Sequence, residues 1–506
     1  MIGGLLKSTS RLALVAAAGL FVGGVAMPSA KAADLGGDCC ADLEERVAEL
    51  EATTARKGNR KMSLTITGQV HRTVVWYDDG KDSRTYYGLD NTNSSSRFIF
   101  TGNARVTPKV RMGFEIMIEI EAGGTSSKVS QFDEDGKVGA QISGTAAPGG
   151  SFNQHNVDAY FGDARRAAWW VEHDDLGRIT VGRWEAAGVP STIDLTGQLL
   201  LVGSSSFILL NGGFFIRGNT GQYYAMTWAN IGDPSANNPG RTELVRYDSP
   251  VWHGFIMSGF IAEAGDYWGS LVRYANEFQG FRLAAAIGYE KARDRATPAT
   301  VDPTGAFWTS VSPDLTAWGF GLSAMHVPTG LFLQGHYNAV DFNGPNHVAN
   351  GYWGSAGGAT KKDAQQWLIQ GGISKNWFGY GNTSIYGEYG KALDWGAEDA
   401  GRNFAGTTAT AGCPGNNSVC TPTIANFVAV NGVVSTEMTV WGIGIVQGFT
   451  AAATDIYLGY RHFDADIICT GAATATGACA GAAGGAAKKL PTEGIDVIQM
   501  GARVLF

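Results

Sequence analysis

Beyond residue 30 the chain has no run that approaches the ~20 consecutive apolar residues of a membrane-spanning helix. That excludes a helical membrane protein. Charge is also scarce: Asp, Glu, Lys and Arg make up 17% of 506 residues, against ~25% in an ordinary soluble domain. The eight histidines are scattered. There is no Gly-x4-Gly-Lys-Ser/Thr phosphate loop, no Gly-x-Ser-x-Gly elbow and no His-Glu-x-x-His pair, so nothing argues for an enzyme. No cofactor and no metal site follow from the residues present. The net charge of −8 argues against nucleic acid as a partner.

Glycine, by contrast, is abundant at 71 residues, about twice the usual ~7%. Length alone suggests several soluble domains, unless every strand belongs to one large sheet. Residues 1–32 read as a secretory signal. Lys7 and Arg11 precede the apolar stretch Leu12–Ala26, and Ala30-Lys31-Ala32 has the small-x-small form of a cleavage site. The stretch is too short and glycine-interrupted for an anchor. Cleavage would remove Lys7, Arg11 and Lys31 and leave a net charge of −11. Export without a spanning helix points to the outer membrane of a Gram-negative cell.

Residues 33–61 are expected to form a short periplasmic helical segment. Cys40, Leu43, Val47 and Leu50 fit two heptads, too few to be stable alone. The segment can self-associate beside assembled barrels and contact peptidoglycan, or it is an ordinary amphipathic helix in the periplasm or the pore.

From Leu64 onward the period is two. Val110, Met112, Phe114, Ile116, Ile118 and Ile120 share one strand face. Arg111, Gly113, Glu115, Met117, Glu119 and Glu121 share the other. Three acids and an arginine are costly in a dry core and natural in a wet lumen. Tight turns alternate with long Gly/Ser/Asn/Ala segments at 78–95, 122–164, 292–314, 342–363, 392–434 and 465–493. Sixteen strands are expected: 63–77, 96–107, 110–121, 165–174, 178–184, 242–249, 253–264, 267–276, 280–291, 315–326, 330–341, 364–375, 382–391, 435–447, 453–464 and 494–506. The predicted fold is all-β, a sixteen-stranded antiparallel transmembrane β-barrel over 62–506. Aromatics near strand ends suit interfacial girdles: Trp76-Tyr77, Trp169-Trp170, Trp184, Trp252, Tyr267-Trp268, Trp318, Trp377-Phe378 and Tyr389. Arg72 falls on the apolar face of the first strand. At mid-bilayer it would cost ~2–4 kcal/mol, unless a subunit interface covers it or the register differs. The last strand alternates Ile498, Met500, Ala502, Val504 and Phe506 against Val497, Gln499, Gly501, Arg503 and Leu505.

Residues 185–241 hold no barrel-type hairpin and are expected to fold inward and narrow the lumen. Asp194 would project from this loop, with Glu185 at its base. Arg97, Arg105 and Arg111 on the facing wall, with Arg183, would complete a charged constriction; the alternative is solvated lumen charges. Cys413–Cys420 and Cys469–Cys479 are candidate external disulfides, since no histidine accompanies either pair. Adjacent Cys39 and Cys40 cannot easily bridge each other.

The run Ala33 to Glu51, followed by Leu64 to Tyr77, resembles the alphaproteobacterial general porin family. So do Val181-Gly182-Arg183-Trp184, the Arg246 to Pro250 turn and the terminal Phe506. The resemblance implies a sixteen-stranded barrel, a homotrimer, and passive diffusion of small hydrophilic solutes and ions; lipopolysaccharide and outer-membrane lipids are its expected surroundings. The rival reading is a plugged structural or adhesive surface barrel.

Overall fold

The computed structural model describes residues 62–120, 124–127, 129–131, 164–190, 192–203, 211–232, 240–262, 265–292, 315–342, 363–395, 402–404, 427–428, 430–470, 479 and 486–506. The signal, the 33–61 segment and the Cys413–Cys420 pair lie outside them.

The described residues form strands β1 (Ser63–Asp78), β2 (Ser83–Asp90), β3 (Arg97–Thr107), β4 (Val110–Glu119), β5 (Ala164–His173), β6 (Gly177–Glu185), β7 (Phe215–Arg217), β8 (Tyr223–Thr227), β9 (Arg241–Asp248), β10 (Phe255–Ala262) and β11 (Tyr267–Phe278). They continue with β12 (Phe281–Ala292), β13 (Leu315–His326), β14 (Leu331–Phe342), β15 (Asp363–Lys375), β16 (Thr383–Leu393), β17 (Arg402–Phe404), β18 (Phe427–Val428), β19 (Val430–Phe449), β20 (Thr454–Cys469), β21 (Lys488–Lys489) and β22 (Ile495–Leu505). Sixteen of these, all but β2, β7, β8, β17, β18 and β21, make a closed antiparallel wall. Each pairs with the next, and β22 pairs back onto β1 from Gln69↔Leu505 to Asp78↔Asp496. Closure leaves the ring without a free edge, which is what lets a sheet cross a bilayer.

Period two fixes the faces. In β14, Leu331 and Leu333 are exposed outward while Phe332, Gln334 and His336 are buried inward. Ile66, Val70, Ile287, Leu322, Ile369, Ile443, Leu458 and Met500 likewise face out. This continuous apolar band suits lipid. Phe506 closes the seam at the short-turn end. Its backbone exchanges hydrogen bonds with Gly68 (2.9 and 3.1 Å), and its ring meets Phe98 edge-on.

Two sequence expectations need correction. The segment 78–95 is not simply a loop: Ser83–Asp90 pairs with the upper part of β1, above β3 on the same side. The second wall strand is therefore interrupted at 91–96. Arg72 does face outward, and the end of β2 supplies Asp90, 3.7 Å from its guanidinium. Among the girdle aromatics, Trp169, Trp252, Trp318 and Trp377 are exposed outward, whereas Tyr77, Trp170 and Trp184 turn to the lumen. Consecutive strand residues such as Trp169 and Trp170 cannot share a face.

Candidate pore constriction

The connection between β6 and β9 enters the lumen from the long-loop end. Its neck is closed by a hydrogen bond from Ala186 N to Gly240 O (2.9 Å). Its backbone then lies directly on β12, where a Cβ added at Gly288 would come 2.0 Å from the Gly188 carbonyl oxygen. Thr192 Oγ1 and His336 Nδ1 of β14 are 2.6 Å apart, and Ser323 of β13 donates to the Ile193 carbonyl (2.5 Å). The segment reaches almost to the short-turn end. There Gln198 donates to Asn382 O (3.3 Å) and Asp455 (3.1 Å), and accepts from Ser384 (2.6 Å). It turns back beside the interrupted strand, where Asn91 donates to Leu201 O (2.9 Å) and Asn93 to Leu200 O.

This path fills one half of the lumen. Leu199, Leu201 and Val202 pack with Met325, Phe332, Tyr386, Val446 and Tyr457 near the short-turn end. Higher up, Phe214, Ile216, Tyr224, Met226 and Trp228 pack on the inner faces of β19, β20, β22 and β1. Between these layers lies a buried polar wall. Gln334 donates to Gln370 (3.0 Å) and Gln370 to Glu388 (2.8 Å), and Arg461 binds Glu388 through Nε (2.5 Å) and Nη2 (3.0 Å).

The other half, from β3 to the short-turn part of β11, carries most of the ion pairs among the described lumen residues. Arg165 binds Glu119, and Arg166 bridges Glu115 (2.7 Å) and Glu185 (2.6 Å). Glu185 also receives Arg241 (3.1 Å). Arg97 donates to Ser95 O (3.0 Å) and Ser94 Oγ (3.1 Å). Toward the short turns, Asp248 binds Arg246 (2.8 Å) and Arg273 (2.7 Å).

The sequence-expected residues therefore part company. Glu185 and Arg97 belong to the charged wall. Arg105 is exposed near the Thr107–Val110 turn, and Arg111 pairs with Glu172 (2.8 Å) and Asp174 (3.6 Å) at the same rim. Arg183 donates to the Ala164 carbonyl (2.8 Å). Asp194 is buried and turned into its own loop, accepting from Thr196 N (2.8 Å), Thr196 Oγ1 (2.6 Å) and Leu199 N (2.8 Å). Burial raises its pKa above the usual carboxylate value, against the opposing pull of those donors. Arg165, Arg166, Arg241, Arg246 and Arg273 were not singled out. The signal that marks Arg246 is alternation: Leu244, Arg246 and Asp248 alternate with outward Val245 and Tyr247.

The loop's return limb also builds a cap at the long-loop end. β7 and β8 pair with each other, and β18 adds to β8 in parallel. Arg217 ties this sheet to Asp79 (2.9 Å) and Asp82 (2.7 Å) of the β1–β2 turn, and its carbonyl accepts from Glu493 N (2.8 Å). Tyr224 donates to Pro491 O (2.9 Å), and burial pushes its phenol up to about 12. The Cys469–Cys479 disulfide joins the end of β20 to the following connection within the same apolar cluster.

Among curated proteins, none is similar enough in sequence to be matched. Several solved structures are similar at low identity. The anion-selective porin from Comamonas acidovorans is 16% identical, with a TM-score of 0.47 over 88% of this chain and 100% of that one. OmpT, an outer membrane protein of Vibrio cholerae, is 11% identical, with a TM-score of 0.44 over 89% and 99%. The outer membrane channel DcaP of Acinetobacter baumannii is 12% identical, with a TM-score of 0.40 over 90% and 100%. The sequence profile of the Gram-negative porins matches residues 13–468. With a closed sixteen-stranded wall, an apolar outer band and that match across most of its length, the chain belongs to the Gram-negative porin family, whose place is the outer membrane.

Proposed function

We propose that this porin is a passive, homotrimeric channel whose conduit follows the arginine-rich wall and passes small hydrophilic solutes, anions in preference to cations. The carrying observation is the one-sided lumen. The inward loop fills the side from β12 to β22 with apolar packing and closed amide contacts, and most ion pairs of the described lumen residues lie on the opposite wall. On that wall Arg97, Arg165, Arg166, Arg178, Arg241, Arg246 and Arg273 outnumber Glu115, Glu119, Glu185 and Asp248. Local charge at the narrow point sets ion preference, so a chain of net charge −8 can carry an anion-preferring pore. Lipopolysaccharide would meet the long loops, and the 33–61 segment would reach toward peptidoglycan.

The filled half also favours a second reading, a plugged barrel with a surface role. Single-channel recording of the heat-labile oligomer in a planar bilayer under a salt gradient separates the two. Three equal closing steps and an anion-side reversal potential are expected. Folded, inserted protein without current would overturn the channel reading and leave the plugged barrel.

A further inference from the structure

On the short-turn side of the constriction, β5 and β6 turn Trp170, Arg178 and Trp184 to the lumen, while their neighbours Trp169 and Ile179 face outward. The Arg178 guanidinium carbon lies 4.6 Å from the Trp170 ring centroid and 5.5 Å from that of Trp184. Trp170 lies flat across β4 at Gly113, where a Cβ would come 2.4 Å from the indole. Any side chain at 113 would lift the indole off the wall. Trp184 is also covered by Arg166, 4.6 Å from its centroid.

Arg178 differs from its neighbours in what it binds. Its Nε donates to Thr180 Oγ1 (3.2 Å), and among the described residues no carboxylate forms an ion pair with it. The carboxylates on either side are engaged. Glu172, its partner across β5, is bound by Arg111 (2.8 Å). Asp248, its partner across β9, accepts from Arg246 Nε and Nη2, from Arg273 and from Ser258 Oγ. Indole contact orients the guanidinium and strips part of its hydration, while its in-plane Nη fork has no protein carboxylate to bind. A planar carboxylate matches that fork with two parallel hydrogen bonds.

We propose that Arg178, set between Trp170 and Trp184, is an anion-binding station in the short-turn mouth that takes small carboxylate solutes. The site rests on the channel reading above and deepens it. A solute leaving the constriction meets a pre-oriented fork before bulk water. Weak, saturable binding at such a point raises its local concentration without trapping it.

The test is benzoate block of the chloride current through the reconstituted oligomer, added on the short-turn side. Native protein should show saturable block. In R178Q the half-blocking concentration should rise about tenfold or more, the loss of a charge-assisted bidentate contact. R178K keeps the charge but loses the fork and the stacking, so it should resemble R178Q. W170L should weaken block by a smaller factor, the loss of the indole contact alone. Heat-modifiable mobility certifies folding of each variant. Equal block in native protein, R178Q and W170L would overturn the station while the current itself upheld the channel. Native-like block in R178K would overturn it too, since any cation would then suffice. Folded native protein with no KCl current would overturn the underlying channel reading instead.

Discussion

Glu388 and Glu115 both sit on lumen faces, and both bind an arginine within 2.7 Å. Their surroundings differ. Glu388 and Arg461 are sealed beneath the inward loop, in line with Gln370 and Gln334, with side chains at most 4% exposed. Glu115 and Arg166 stay partly open, at 14% and 9%, with Glu185 and Arg241 next in line. One strand pattern thus yields a sealed pair on one side and a partly open pair on the other. What decides between them is not the wall but which part of it the loop covers.

The comparison can be broken most directly by removing the cover. Replacing residues 192–232 with a short Gly/Ser bridge should raise single-channel conductance roughly twofold, the ratio of a whole lumen to half of one. Unchanged conductance would mean the loop does not fill the lumen. Next in size, E388Q removes half of a sealed pair. It should cost about 3–5 kcal/mol in chemical unfolding and leave reversal potential unmoved, since the proposed conduit runs along the opposite wall. A shifted reversal potential would place the conduit on the wrong side.

Replacing both Cys469 and Cys479 with Ser should cost ~2–3 kcal/mol by freeing a short closed loop, read as a lower melting temperature of the oligomer. R166A on the charged wall should cost less, ~1–2 kcal/mol, because Glu115 and Glu185 keep some exposure and Glu185 keeps Arg241. It should nevertheless move the reversal potential toward cations, by uncovering Glu115 and Glu185. The smallest effect belongs to Asp194. Its raised pKa means the loop is held best with the carboxyl protonated. That contribution is complete below the unfolded value near ~3.9 and fades as pH rises through the folded value. D194N should abolish this pH dependence and cost no more than ~1 kcal/mol through the lost Leu199 contact. A pH profile identical to that of the native protein would mean that another group carries it.

The wall was legible because lipid imposes its period on every strand. β13 falls at Leu315–His326, where the alternation places it, and most other boundaries agree within two or three residues. β19 and β20 each run five residues further at the long-loop end, and on β19 the extension crosses Asn431-Gly432, a pair that reads as a turn in sequence. The lumen was far less legible. Inward polar residues look alike in sequence whether the loop covers them or water does, so Gln370 and Arg273 gave the same signal. Asp194 lies in the segment that enters the barrel, but Thr196 two residues on offers its carboxylate a local partner, which alternation cannot reveal. Arg105 and Arg111 have the right face and the wrong height, because period two fixes which side a residue takes and not how far along the pore it lies.

The cap has a consequence for anything that meets this cell from outside. It is assembled from residues 79–82, 215–227, 427–428 and 491–493, stretches far apart in the chain, with Lys81, Asp82, Asn219 and Thr220 left exposed on it. An antibody or a phage fibre that recognises this patch reads a conformational epitope. No single peptide of the chain reproduces it, and denaturation erases it while leaving every segment intact.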